Sequence, residues 1–216
     1  MSRGMCWVFA NGELPAPRAV FARIQPGDRL IAADGGARRL ADAGLRPDLL
    51  VGDFDSLTPQ EVDSLARSGT EVRRYPPEKD ETDLELALLA AADGGARAVR
   101  VVAALGGRLD QTLANLALLG LPELEGLDVR LDDGREEVFL IRGRAVIEGQ
   151  AGERVSLLPW AGPASGVTTH GLRYSLRGET LLQERSRGVS NEMEGERAQV
   201  QVEAGVLVCV HRYGGE

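Results

Sequence analysis

Two aspartates one residue apart, Asp53 and Asp55 in the run Gly52-Asp53-Phe54-Asp55-Ser56, are the side chains best placed to do chemistry. Residues i and i+2 of an extended segment point to the same face, so both carboxylates can reach one point in space. Two carboxylates that close repel each other unless a cation stands between them, and hard oxygen ligands select Mg²⁺ or a similar ion. A polar turn is the competing explanation, because turns use aspartate heavily. A second acidic run, Lys79-Asp80-Glu81-Thr82-Asp83, opens a Leu/Ala-rich helical pattern. Asp80 or Thr82 would cap its first turn. Asp83 could lend a third carboxylate to Asp53 and Asp55, with Lys79 available for substrate.

Glycine-rich polar runs follow other apolar segments: Asn11-Gly12-Glu13, Asp34-Gly35-Gly36-Ala37, and Gly106-Gly107-Arg108-Leu109-Asp110-Gln111. Glycines at the start of a helix let backbone N–H groups approach a phosphate, and Arg108 offers a fork of donors to phosphate oxygens. Capping by Asp34 or Asp110 is the alternative at each place. Five strand ends carrying Gly with Asp, Asn or Arg on one sheet edge exceed what capping requires, and point to a site. Neither a G-x-G-x-x-G fingerprint nor a G-x-x-x-x-G-K-[ST] loop occurs,. In the second half, Ser190-Asn191-Glu192 reads as a recognition loop or an ordinary polar turn. His170 and His211 are isolated and carry no assigned role, and Trp160 and Tyr174 read as core.

The elements that must position these residues come in two textures. Through about residue 130, apolar runs at 6–10, 29–33, 48–51, 71–75, 100–104 and 128–131 alternate with helical patterns at 37–43, 58–69, 83–92 and 110–119. That alternation predicts an α/β domain with a mostly parallel sheet and flanking helices. Thr58-Pro59-Gln60-Glu61 reads as a capping box. Beyond it come short strands at 137–141, 145–148, 154–158, 166–169, 180–183, 199–203 and 206–211, the last two joined as a hairpin across Ala204-Gly205. The expectation is an α/β domain over 1–133 and an all-β sandwich over 134–216. The chain has 216 residues, 43% hydrophobic and 27% charged, ordinary for a soluble globular protein,. Its formal net charge of -8 argues against a nucleic-acid partner,. No apolar run approaches the roughly 20 residues of a membrane span, and the first residues make no convincing signal peptide. Cys6 and Cys209 lack metal-ligand spacing and read as buried free thiols, which suits the cytoplasm.

Taken together, the Asp34, Asp53/Asp55, Lys79–Asp83, Gly106–Gln111 and Ser190-Asn191 motifs resemble the thiamine pyrophosphokinase (thiamine diphosphokinase) family, in order and over nearly the whole chain. The resemblance implies a catalytic α/β domain, a thiamine-binding β-sandwich, and a homodimer with shared active sites. It implies the reaction ATP + thiamine → AMP + thiamine diphosphate with Mg²⁺. By the same resemblance Asp53, Asp55 and Asp83 are the metal carboxylates, and Arg108 and Asp110 complete the catalytic set. Asn11, Asp34, Gly35, Arg108, Asp110 and Gln111 contact the nucleotide, while Ser190, Asn191 and Lys79 face thiamine. A pyrophosphokinase for another alcohol, such as a hydroxymethylpterin, and a non-catalytic nucleotide or thiamine sensor are the alternatives.

Overall fold

The protein is described by a computed structural model covering residues 5–214. The chain divides between Gly134 and Arg135 into two compact units. In the first, strands β1 (Cys6–Phe9), β2 (Arg29–Ala33), β3 (Leu49–Gly52), β4 (Glu71–Arg74), β5 (Ala98–Val102) and β6 (Asp128–Asp132) form a parallel sheet in the order β4-β3-β2-β1-β5-β6. The chain starts in the middle, builds outward through β4, then returns to lay β5 on the free side of β1. That reversal between β1 and β5 is a topological switch point, and ligands of open α/β sheets bind outside the strands' carboxyl ends at such points.

Strands β1 and β3 are continuously apolar because a parallel sheet is covered on both faces,, while β4 at the edge is mostly charged. Trp7, Phe9, Leu30, Ala32 and Leu50 are buried in one core with Leu40 and Val62 of the helices. Each such side chain contributes about 1.5–3 kcal/mol through burial. The helices are α1 (Pro17–Phe21), α2 (Gly36–Asp42), α3 (Pro59–Arg67), α4 (Asp83–Asp93) and α5 (Leu109–Leu118). The capping box forms: Glu61 N donates to Thr58 Oγ1, and Thr58 N donates to Glu61 Oε2 at 2.7 Å. Helix α1 escaped the sequence pattern because five residues show no 3.6-residue period and Pro17, which opens it, reads as a breaker,.

The second unit is built from strands: β7 (Glu136–Ile141), β8 (Arg144–Glu148), β9 (Arg154–His170), β10 (Arg177–Leu181), β11 (Asn191–Glu192), β12 (Arg197–Gln201) and β13 (Ala204–Arg212). The runs at 154–158 and 166–169 are one strand, β9, which turns where Ala161 and Gly162 adopt φ of 59° and 135°. Its first half pairs with β13 and β11, its second half with β12 and β10. Strands that pass from one sheet to another through such a bend close an orthogonal packing.

The expected hairpin across Ala204-Gly205 does not form. β12 pairs with β8 and β9, β13 with β7 and β9, and Val202 N already donates to Gly143 O at 2.7 Å. Alternation reports that each strand buries one face; it does not report which strand lies beside it. Along β13, Leu207 and Cys209 pack in the core alongside Val200 and Val202, while Val206 and Val210 are half-buried.

A carboxylate cluster at the carboxyl ends of the sheet

Three strands of the first unit end on a non-glycine residue with left-handed backbone: Asp34 after β2 (φ 45°), Phe54 after β3 (φ 67°) and Ala103 after β5 (φ 57°). Such conformations cost of order 1–3 kcal/mol and collect at functional sites. Here they frame a cavity of about 680 Å³ whose lining includes Asn11, Asp34, Arg39, Asp83, Arg108 and Gln111.

Asp34, Asp53 and Asp83 each place a carboxylate oxygen within 4.8 Å of the others. Local structure sends each one there. The N-cap of α2 is Gly35, which leaves the Asp34 side chain out of capping. Thr82 caps α4, its hydroxyl accepting from Glu85 N at 3.2 Å, so Asp83 at the first helical position is likewise spared. Gly52 makes the convergence possible, because a Cβ there would sit 3.0 Å from Asp83 Cγ and 3.3 Å from Asp34 Cβ. Asp34 is 7% exposed, and its Oδ1 has no hydrogen-bond partner among the described residues. An uncompensated buried carboxylate oxygen facing two other carboxylates is a donor set suited to a hard divalent cation.

The set differs from the expected Asp53, Asp55 and Asp83. β3 stops at Gly52 and Phe54 is left-handed, so Asp53 and Asp55 are not alternate residues of a strand and do not share a face. Asp55 is exposed, accepts from Ser56 Oγ at 3.1 Å, and lines the same cavity outside the three-carboxylate cluster. Asp34, expected as a nucleotide contact, takes the third place.

Lys79, expected as a thiamine contact, lines the cavity beside the carboxylates. Its Nζ lies 2.9 Å from Asp53 Oδ2 and 3.0 Å from Asp83 Oδ1, with the side chain 9% exposed. Burial disfavours its charge, but hydrogen bonds to Asp53 and Asp83 outweigh that and hold its pKa above the ordinary lysine value. The hydrogen bond from Lys79 keeps the Asp53 carboxyl below its usual range. Asp83 is pushed upward, chiefly by burial, with the negative charges of Asp53 and Asp34 adding to it and Lys79 opposing.

Toward α5 the lining includes Glu13, Arg108 and Gln111. Arg108 is bonded to Asp110, Nη2 to Oδ2 at 2.5 Å, and the two side chains are 73% and 65% exposed. An exposed pair of that kind is worth little and readily exchanges partners. Asp110 does not cap the helix; Arg108 holds the N-cap position. Gln111 lines the cavity, and Asn11 packs so closely on Gly35 that a Cβ there would meet its amide at 2.4 Å. Sequence reasoning missed Arg39. Its Nη2 donates to Gly12 O at 2.8 Å, while its buried Nε lacks a partner among the described residues. The available signal was its position three residues after Gly36, on the same helix face as the start of α2.

Ser190 and Asn191 lie in the β unit. Asn191 is buried and its amide is committed to backbone: Oδ1 accepts from Tyr174 N and Glu192 N, both at 2.9 Å, and Nδ2 donates to Tyr174 O at 2.8 Å. Those three bonds fix the shape of the loop. Ser190 is exposed, with φ 57° and its N–H donating to Ser156 Oγ. Tyr174, expected in the core, is 55% exposed and lines a second cavity with Val189 and Asn191.

Two family models match in the same order as these two units: the catalytic domain of thiamin pyrophosphokinase over residues 24–131 and its vitamin B1 binding domain over residues 145–207. The chain belongs to the thiamin pyrophosphokinase family. Thiamine pyrophosphokinase of Bacillus subtilis is 30% identical over 182 residues, covering 83% of this chain and 85% of that one. Thiamine pyrophosphokinase 1 of Arabidopsis thaliana is 25% identical over 201 residues, covering 82% and 75%. The crystal structure of the Bacillus subtilis protein superposes with a TM-score of 0.85 at 24% identity over 97% of this chain and 99% of that one. A thiamin pyrophosphokinase family protein from Enterococcus faecalis gives 0.82 at 26% identity, over 98% and 99%. The yeast enzyme's 0.82 at 16% identity, covering 98% of this chain and 87% of that one, shows the same fold.

Proposed function

We propose that Asp34, Asp53 and Asp83 hold the divalent cation around which this thiamine pyrophosphokinase family enzyme moves the pyrophosphoryl group of ATP to the hydroxyl of thiamine. The carboxylate cluster at the sheet's switch point is the observation that carries this reading. When bound there, Mg²⁺ would supply positive charge to the phosphate oxygens. Arg108, released from Asp110, and the partnerless Nε of Arg39 bind phosphate oxygens from the other side of the cavity. Asn11 and Gln111 orient the nucleotide, and Asp55 orders the rim. The thiamine oxygen attacks the β-phosphorus and the bond to the α-phosphate oxygen breaks, so AMP leaves. Such a transfer depends on positioning and charge stabilisation more than on covalent catalysis.

Thiamine is favoured over a pterin acceptor by the vitamin B1 binding model across residues 145–207. The exposed ring of Tyr174 and the neighbouring Ser190 are the groups of the β unit assigned to its aromatic system. A homodimer belongs to the same reading. Leu109 and Leu113, one turn apart on α5, are 70% and 53% exposed, an apolar ridge that a second copy would cover,. No helix among the described residues is long and apolar enough to cross a membrane, and a cytoplasmic location accords with the two buried free thiols,. Incubation with ATP, Mg²⁺ and thiamine should yield AMP and thiamine diphosphate by mass spectrometry. ADP with thiamine monophosphate would overturn the assignment.

A further inference from the structure

Lys79 is the only lysine in the chain; every other member of its 25 lysine and arginine residues is arginine. That one lysine is nearly buried and in contact with two of the three clustered carboxylates. The preference for lysine at this one place has a physical basis. An ammonium is a compact point charge with three rotatable donors, and it can sit between Asp53 and Asp83 without imposing a planar fork. Guanidinium would lock onto one carboxylate in a bidentate pair and stay there. The three carboxylates are close enough to repel strongly, and the Asp34 oxygen left without a partner shows that the ammonium neutralises only part of the cluster,.

We propose that Lys79 is the resident counter-ion of the Asp34–Asp53–Asp83 cluster, competes with the divalent cation for it, and thereby sets the protein's metal affinity. This rests on the reading of the three aspartates as cation ligands. A cation entering the cluster claims the oxygens that Lys79 now contacts, so the ammonium must withdraw along its four-carbon stem toward the cavity. Lys79 is on this account a positioning residue: it keeps the carboxylates together and gives way when the cation arrives.

The experiment compares Mn²⁺ binding by wild type, Lys79→Met and Lys79→Arg, each followed by calorimetry and by the free-ion electron paramagnetic resonance signal, without nucleotide. Lys79→Met should bind at least about tenfold more tightly, because a like charge a few ångströms from the ion has been removed. Its thermal stability before Mn²⁺ addition should fall and should be recovered on adding the ion. Lys79→Arg, a competitor that cannot withdraw, should bind no more tightly than wild type. In parallel, wild type grown with ¹³Cε-lysine carries a single labelled lysine, whose resonance should shift on titration with Mg²⁺. Equal or weaker Mn²⁺ binding by Lys79→Met, or a resonance indifferent to Mg²⁺ at saturating concentration, would overturn the counter-ion role while leaving the metal site standing. Absence of binding by wild type and Lys79→Met alike would overturn both readings. If Lys79→Met does not fold, the wild-type titration decides alone.

Discussion

Helix α2 carries a glycine at each end, and alanine at the two positions should have very different consequences. At Gly36, the first helical residue, a Cβ would stand 1.9 Å from the carbonyl oxygen of Phe9 and 2.6 Å from its carbon. Non-bonded heavy atoms need roughly 3.5 Å, so the start of α2 must retreat from β1 by about 1.5 Å. The obstacle is backbone in the centre of the sheet, which cannot rotate away as a side chain would. Overpacking in a well-packed core costs about 1–3 kcal/mol, and a backbone obstacle places Gly36→Ala at or above the top of that range. At Gly44, just past the other end, a Cβ meets nothing within 4 Å; only the φ of 70° disfavours alanine, costing about 1–2 kcal/mol. The functional contrast should be larger. Asp34 lies two residues before Gly36, so the retreat pulls it out of the three-carboxylate cluster, and a misplacement of about 1 Å can cost on the order of 100-fold in rate. Chemical denaturation, Mn²⁺ binding and kcat measured on both variants test this. Gly36→Ala with stability and turnover no worse than Gly44→Ala would refute the account of how α2 positions Asp34.

Asp34→Asn, Asp53→Asn and Asp83→Asn should each weaken Mn²⁺ binding by at least about 10–100-fold in calorimetry; Asp55→Asn should weaken it less than any of the three, and an order reversed would restore Asp55 as a ligand. Asn191→Ala removes three part-buried hydrogen bonds to backbone and should cost about 1–3 kcal/mol in denaturant unfolding; a change confined to thiamine affinity would contradict the structural role. His211, fully buried between Glu137 and Glu153 at 3.3 and 2.9 Å, faces burial that lowers its pKa and two carboxylates that raise it above 6.5, with the increase winning. A raised histidine pKa contributes stability that is complete below 6.5 and disappears as pH rises through the folded-state value. The midpoint of unfolding should therefore fall as pH rises above 6.5, and His211→Gln should flatten that slope,.

The sequence made the parallel sheet legible because its central strands, such as β1 and β3, are continuously apolar and its helices carry proper ends, as the Thr58–Glu61 box shows. Asp53 and Asp83 were legible for the same reason, each lying at the end of a recognisable element. Asp55 stands outside the three-carboxylate cluster because the i, i+2 rule holds only while the backbone stays extended, and no residue type announces that Phe54 turns left-handed. Arg39 was hidden in an ordinary helical Arg-Arg pair. In the β unit, alternation located nearly every strand but not its neighbours, since pairing depends on which faces share a core and not on proximity along the chain. The isolated-looking His211 was in fact held between two carboxylates distant in sequence, Glu137 of β7 and Glu153 just before β9.

Strand β9 pairs with β10, β11, β12 and β13, and β13 in turn joins it to β7. Every one of those partnerships uses a strand, β9 or β7, already made by the time residue 170 has been synthesised, yet none can be completed until later strands arrive. Residues 204–212 must emerge from the ribosome before β7 and the first half of β9 acquire the strand that lies between them. Until then both expose open edges, the kind that recruit other chains. The α/β unit, whose strands are complete by residue 132, is under no such delay. Nascent chains should consequently acquire protease resistance in two steps, with the second unit depending on chaperones that cover unpaired strands during the interval.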